Sequence, residues 1–151
     1  PEWGDRNLSI TTDRTVYVWP AGEKQKHIVI QGELENGTGT TYYARVGDRM
    51  GAAGLLLFAE NSAGTLEAFD PKDEVWRACD LLGMLIEGSV YIEIEPDSVY
   101  RFNATLYAHP DCYRTQTGLH RLKFEYAASE NQDAISDGLL DYSNVFEIRA
   151  E

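Results

Sequence analysis

The sequence predicts an all-β fold: an antiparallel sandwich of about seven to nine short strands with one short helix. Three observations carry that expectation. The stretch Gly118–Tyr126 (GLHRLKFEY) alternates strictly, with Leu122, Phe124 and Tyr126 on one side and Arg121, Lys123 and Glu125 on the other. Successive side chains of a strand point to opposite faces, so this is a half-buried strand with a dry face and a wet one. Several other segments repeat the pattern, separated by turn signals every ~8–12 residues. A single stretch, Asp70–Gly83, carries the marks of a helix.

Taken in order, Leu8–Thr12 and Thr15–Trp19 are rich in β-branched and aromatic residues and read as two short strands, or one kinked at Asp13-Arg14. Pro20–Glu23 turns the chain. His27–Glu35 is a strand with Ile28, Ile30 and Leu34 inward; Gly32 takes an inward slot, which suggests a bulge or close packing of a neighbour. Asn36-Gly37 is a strong hairpin signal, so Thr40–Val46 is expected to return beside it. Leu55–Glu60 and Thr65–Phe69 suggest a second hairpin, although LLLF also suits a helix. In Asp70–Gly83, Asp70 suits an N-cap, Pro71 the first helical position, Asp73 and Glu74 the first turn, and Gly83 the stop. Met84–Glu95 and Val99–Ala108 alternate again, with Ile92, Ile94, Phe102, Ala104 and Leu106 inward. Ala127–Asp141 has no periodicity and reads as a loop, and Tyr142–Ala150 closes the chain with Phe146 and Ile148 inward.

The order Tyr17, Pro20–Glu23, an alternating strand and then Glu35–Thr38 resembles the opening of extracellular immunoglobulin-like modules. The ending Gly118–Tyr126 followed by Ser143–Ile148 resembles their close. The layout is similar to BsuPI-type proteinase-inhibitor domains and to prodomain-like modules of some secreted metalloproteases. The resemblance implies one immunoglobulin-like β-sandwich over residues 1–151 that works by contact rather than catalysis. Trp76 precedes both cysteines, so the antibody pattern of two cysteines bracketing a tryptophan is absent.

Length and composition suit one globular domain, but the net charge of −12 is unusual. It argues against nucleic acid and anionic membrane as partners, since both need a basic footprint. No run of ~18 apolar residues occurs, so membrane insertion is not expected. Pro1 as the first residue suits a mature protein or an excised fragment. Two features suggest a secreted or extracellular setting. Cys79 and Cys112 allow one disulfide, the alternative being two unpaired thiols. Asn7, Asn36 and Asn103 each head an Asn-x-Ser/Thr glycosylation sequon, where chance would supply roughly one match.

Candidate chemistry is sparse. No nucleophile elbow, P-loop or dinucleotide fingerprint is present, and no cofactor is expected. His109 with Asp111 and Cys112 is too small a ligand set for structural zinc. Asp133, Asp137 and Asp141 recur every fourth residue and suggest Ca²⁺, against a plain solvated acidic loop. Glu93, Glu95 and Asp97 supply carboxylates, but Glu93 and Glu95 share an outward strand face, where acids are ordinarily solvated. Tyr17 and Trp19 project from one face of an early strand, and Tyr43 and Tyr91 are expected outward. Such aromatics bind a protein partner, stack on sugar, or fill the core. The expectation is a non-enzymatic, extracellular protein-interaction module, with carbohydrate binding as the alternative. Strand addition to a partner is expected from Leu8–Thr12 or Tyr142–Ala150.

Overall fold

The computed structural model describes residues 4–20, 27–47, 64–79, 89–107, 117–129 and 138–150. Among them are eleven strands and no helix: β1 (Leu8–Thr12), β2 (Val16–Trp19), β3 (His27–Asn36), β4 (Tyr42–Gly47), β5 (Gly64–Asp70), β6 (Val75–Cys79), β7 (Ser89–Ile94), β8 (Ser98–Tyr107), β9 (Gly118–Tyr126), β10 (Leu139–Tyr142) and β11 (Phe146–Ala150). One sheet runs β1-β3-β8; a six-stranded sheet runs β2-β11-β9-β5-β6, with β10 also on β9; β4 pairs with β7. Residues from all three pairing groups share one core, in a β-sandwich. Ile30, Leu34, Phe102 and Leu106 meet Trp19, Leu66, Leu122, Phe124 and Ile148, with Ala44, Val46 and Ile94 from the β4–β7 pair.

The strand count exceeds the expected seven to nine because the first run is two strands, β6 stands where a helix was expected, and β10 forms at the end of the expected loop Ala127–Asp141. The first run pairs with β3 as β1, crosses at Asp13–Thr15, and joins the other sheet as β2, parallel to β11. The last run breaks at a bulge: Tyr142 faces Lys123 and Phe146 faces His120, so three residues oppose two. Side chains take over the pairing there. Ser143 Oγ accepts from Leu122 N (2.9 Å), and Asn144 Oδ1 accepts from Thr12 N (2.9 Å). The bulge therefore ties β1 to the six-stranded sheet.

Gly32 shows close packing rather than a bulge. A Cβ there would lie 2.4 Å from Phe102 Cζ and 2.5 Å from the Thr11 carbonyl oxygen.

The expected helix is corrected to a hairpin. Asp70 Oδ1 accepts from Lys72 N (3.0 Å), Glu74 has φ +54°, and β6 returns along β5. Asp-Pro followed by a left-handed residue builds a tight turn as readily as it starts a helix, and the available partner β5 decides for strand. Arg77 on β6 closes the turn on Asp70 (3.1 Å) and Asp73 (2.7 Å).

The hairpin expected at Asn36-Gly37 does not form. β3 pairs with β1 and β8, and β4 pairs with β7. Asn36 is turned inward and builds a different connection. Its Oδ1 accepts from Thr38 N (3.0 Å), and its Nδ2 donates to Thr40 O (2.8 Å) and Ile94 O (3.0 Å). That side chain holds both the β3–β4 link and the end of β7.

Candidate functional site

The sequence-predicted site residues fall in several places. Tyr17 and Trp19 are each 4% exposed and belong to the core, which corrects their assignment to a binding surface. Alternation fixes that they share a face but not which face is dry. Tyr17 packs edge-on to Phe146 and its hydroxyl donates to Asp13; burial and then that bond push its pKa well above the ordinary tyrosine value. Tyr43 is half-buried, and its backbone bridges to Ala127. Tyr91 is exposed on β7 with the Arg45 guanidinium 5.2 Å from its ring centroid. The structure therefore assembles no row from the four.

Asn36 is fully buried, and both Nδ2 hydrogens are donated, so an attached glycan has neither room nor a free hydrogen position; this sequon is corrected to a structural asparagine. Asn7 and Asn103 are half-buried. Cys79 ends β6, while Cys112 lies outside the described residues, as do Asp133, Asp137 and the strand expected at Leu55–Glu60.

Asp141 is no loop ligand for Ca²⁺. It sits in β10, 2% exposed, with donors around its carboxylate. Arg6 N reaches Oδ1 at 2.5 Å, Asn7 N and Leu8 N reach Oδ2 at 3.2 and 3.0 Å, and the Tyr126 hydroxyl donates to Oδ2. Three successive amides converging on an anion form a backbone nest. Gly4 (φ +75°) and Arg6 (φ +61°) give the segment its curvature. Asp141 thus anchors the N-terminal segment to the six-stranded sheet. Burial and this hydrogen bond push the Tyr126 pKa well above its ordinary value.

The edges proposed for strand addition are engaged. β11 lies between β2 and β9, and β1 meets β3 on one side and Ser143 on the other.

An organised surface lies elsewhere, on the outer face of the six-stranded sheet. Its centre is Arg121 on β9. Its guanidinium bonds Glu67 Oε1 on β5 (2.7 Å) and lies between two rings, 4.3 Å from the Trp76 centroid and 3.6 Å from that of Tyr142. Phe69 extends the cluster, edge-on to Trp76 at 5.2 Å. Leu119, two residues before Arg121 on β9, is 44% exposed, and Val18, two strands away on β2, is 48% exposed. The stacked, ion-paired guanidinium is held in one orientation and largely covered, its side chain 11% exposed and that of Glu67 9%, so what the cluster presents is the half-buried Trp76 and Tyr142 rings, residue types enriched in binding hot spots.

Charges on this face cancel. Among the described residues it carries Glu67, Glu125 and Glu147 against Arg121, Lys123 and Arg149, each acid beside a base: Arg121–Glu67 at 2.7 Å, Lys123–Glu125 at 3.6 Å and Arg149–Glu147 at 3.0 Å. The net charge of −12 is therefore carried by the rest of the chain. Sequence reasoning placed Arg121 outward but did not find the cluster, which needs the β5–β9 register that sets Glu67 opposite Arg121.

A concavity of about 660 Å³ lies on the other sheet around Gly32, Glu33, Arg101 and Asn103. Of its three charged residues, Asp13, Glu33 and Arg101, the last two lie 3.7 Å apart and are well exposed. Among the described residues no group of three or more His, Cys, Asp and Glu is arranged to hold a metal ion.

No family model matches this chain, and no curated protein matches it. Solved structures that resemble it include a protein described as ApaA from Bordetella pertussis, 10% identical over 98% of this chain and 95% of its own, with a TM-score of 0.44. A CARDB domain from Pyrococcus furiosus, in complex with di-metal ions, is 10% identical over 100% of this chain and 98% of its own, with a TM-score of 0.32. A β-glucuronidase from Bacteroides uniformis is 17% identical over 91% of this chain but only 12% of its own, with a TM-score of 0.34. Likenesses of this degree carry no argument about activity, ligand or partner.

Proposed function

We propose that this chain is a non-catalytic protein-interaction module that docks a partner through the outer face of the six-stranded sheet. The single observation that carries the reading is the Arg121–Trp76–Tyr142 cluster on a charge-balanced face of an otherwise strongly acidic chain. A docking surface needs rigid amphipathic anchors that lose little entropy on binding, and the half-buried Trp76 and Tyr142 rings, held by the guanidinium between them, supply them. Leu119 and Val18 add apolar area that is already exposed. The extracellular setting is part of the proposal and rests on the sequons at Asn7 and Asn103 and on the two cysteines.

A photo-crosslinking amino acid at Leu119, compared with one at Val29 on the opposite sheet, tests the reading in extract from the native source. Protein adducts from position 119 and few from position 29 are expected. Equal labelling at both, or labelling only at 29, overturns it.

A further inference from the structure

Of the six asparagines in the chain, only Asn36 is followed by glycine. That dipeptide carries chemistry of its own. The Gly37 nitrogen, once deprotonated, bonds to Asn36 Cγ; the Cγ–Nδ2 bond breaks and the side-chain nitrogen leaves as ammonia. Water then opens the five-membered imide at either carbonyl, which leaves aspartate or isoaspartate. No oxidant or reductant is involved. Glycine favours the first step because no Cβ crowds the attacking nitrogen.

The fold holds this reaction shut. Asn36 ends β3 between Leu8 of β1 and Ser98 of β8, and it is fully buried. Its side-chain amide makes four hydrogen bonds. Oδ1 accepts from Thr38 N (3.0 Å) and Thr38 Oγ1 (2.7 Å), and Nδ2 donates to Thr40 O (2.8 Å) and Ile94 O (3.0 Å). Cyclisation must rotate the amide out of these bonds, align Cγ with Gly37 N and admit water to the departing ammonia. It therefore requires the β3–β4 link to open first. Gly37, Gly39 and Thr40 lie exposed on that link, so opening starts at the surface.

The product does not fit back. Aspartate has no N–H for the Thr40 and Ile94 carbonyls, and it sets a carboxylate against both. Isoaspartate also adds a methylene to the main chain, which shifts the end of β3 against Leu8 and Ser98. We propose that Asn36-Gly37 is a latent self-modification site. It is closed in the folded chain and converts irreversibly when the β3–β4 link opens, so a chain that reacts while open loses its native closure.

The full chain is held in native buffer and, in parallel, in guanidinium chloride above its unfolding midpoint, at one mildly alkaline pH and temperature. Peptide mapping follows the amide-to-acid mass change and isoaspartate at residue 36. Conversion in native buffer should be slower by at least about thirtyfold, the share of time that the link spends open setting the rate. Gly37→Ala should slow conversion of the unfolded chain about tenfold or more, because its Cβ crowds the attacking nitrogen. A Cβ at Gly37 meets nothing within 4 Å and its φ is not positive, so the variant should unfold at the wild-type denaturant concentration. Chain converted while unfolded and then returned to native buffer should unfold at a lower denaturant concentration than unconverted chain treated in the same way.

Equal rates in native buffer and denaturant overturn the closed site. A Gly37→Ala chain that converts as fast as wild type overturns the imide route. A converted chain that regains the wild-type midpoint overturns the irreversible loss of closure.

Discussion

Replacing Asp141 by Asn tests how the N-terminal segment is held. The change is nearly isosteric, but it removes the charge and turns one acceptor oxygen into a donor NH₂. Asp141 accepts from three consecutive amides and from the Tyr126 hydroxyl, and the bonds from Leu8 N and Tyr126 are buried. With Asn, one oxygen must serve donors that now use two, and its NH₂ points at another donor. A buried donor left without a partner costs about 1–3 kcal/mol. The amides of Arg6 and Asn7 are only part-buried, so water compensates them in part. Leu8 N, Asn7 N and the Tyr126 hydroxyl all use Oδ2, so the amide oxygen can keep them while the NH₂ faces Arg6 N; that clash and the lost charge set the scale, and the expected loss is about 1–3 kcal/mol. With a urea m-value of ~2 kcal/mol/M, the midpoint should fall by roughly 0.5–1.5 M. Tyr126→Phe combined with Asp141→Asn should cost less than the sum of the single changes, because the two share one bond. A loss below about 0.5 kcal/mol, or additive effects in the double variant, would refute the nest as the anchor of β1.

Three further predictions follow from the same reasoning. Gly32→Ala should destabilise by about 1–3 kcal/mol in urea unfolding, because its Cβ would meet both the Phe102 ring and the Thr11 carbonyl; Phe102→Leu should relieve only part of that, since the backbone oxygen cannot yield. Asn36→Asp should cost about 2–4 kcal/mol, because it removes two donors and sets a carboxylate against the Thr40 and Ile94 carbonyls; intact mass of the natural protein should show residue 36 without a glycan. Tyr17 and Tyr126 are raised in the folded state, first by burial and then by Asp13 and Asp141 respectively, so the stability they contribute is fully present below the unfolded tyrosine value of ~10 and is lost as pH rises above it. Absorbance titration at the tyrosinate band should show these two silent until the chain unfolds, and Tyr17→Phe should raise the pH of alkaline unfolding.

Much of the sandwich was legible because period-two alternation survives wherever one face is dry. Gly118–Tyr126 was read with the bounds it has, and β1, β3, β8 and β11 were placed within a residue or a few. Inward assignments at Ile30, Leu34, Phe102, Leu106 and Ile148 follow from the same signal. The failures share a physical origin, which is that local signals do not encode partners. Asp70-Pro71 serves a turn or a helix start equally, and only β5 beside it decides. Asn36-Gly37 signals a turn, but the buried Asn36 side chain routes the chain away from β3. Asp141 reads as loop acid because its three amide donors lie more than 130 residues away, at Arg6, Asn7 and Leu8. The Arg121 cluster draws on four strands, β5, β6, β9 and β10, so no window of sequence contains it.

Hydroxyl-radical footprinting, comparing the chain assembled with its partner with the dilute isolated chain, tests the docking face most directly. The account predicts that Leu119, Val18, Trp76 and Tyr142 lose reactivity on assembly while Val29 and Val99 keep theirs. Protection of Val29 and Val99, with Leu119 and Trp76 unchanged, would contradict it.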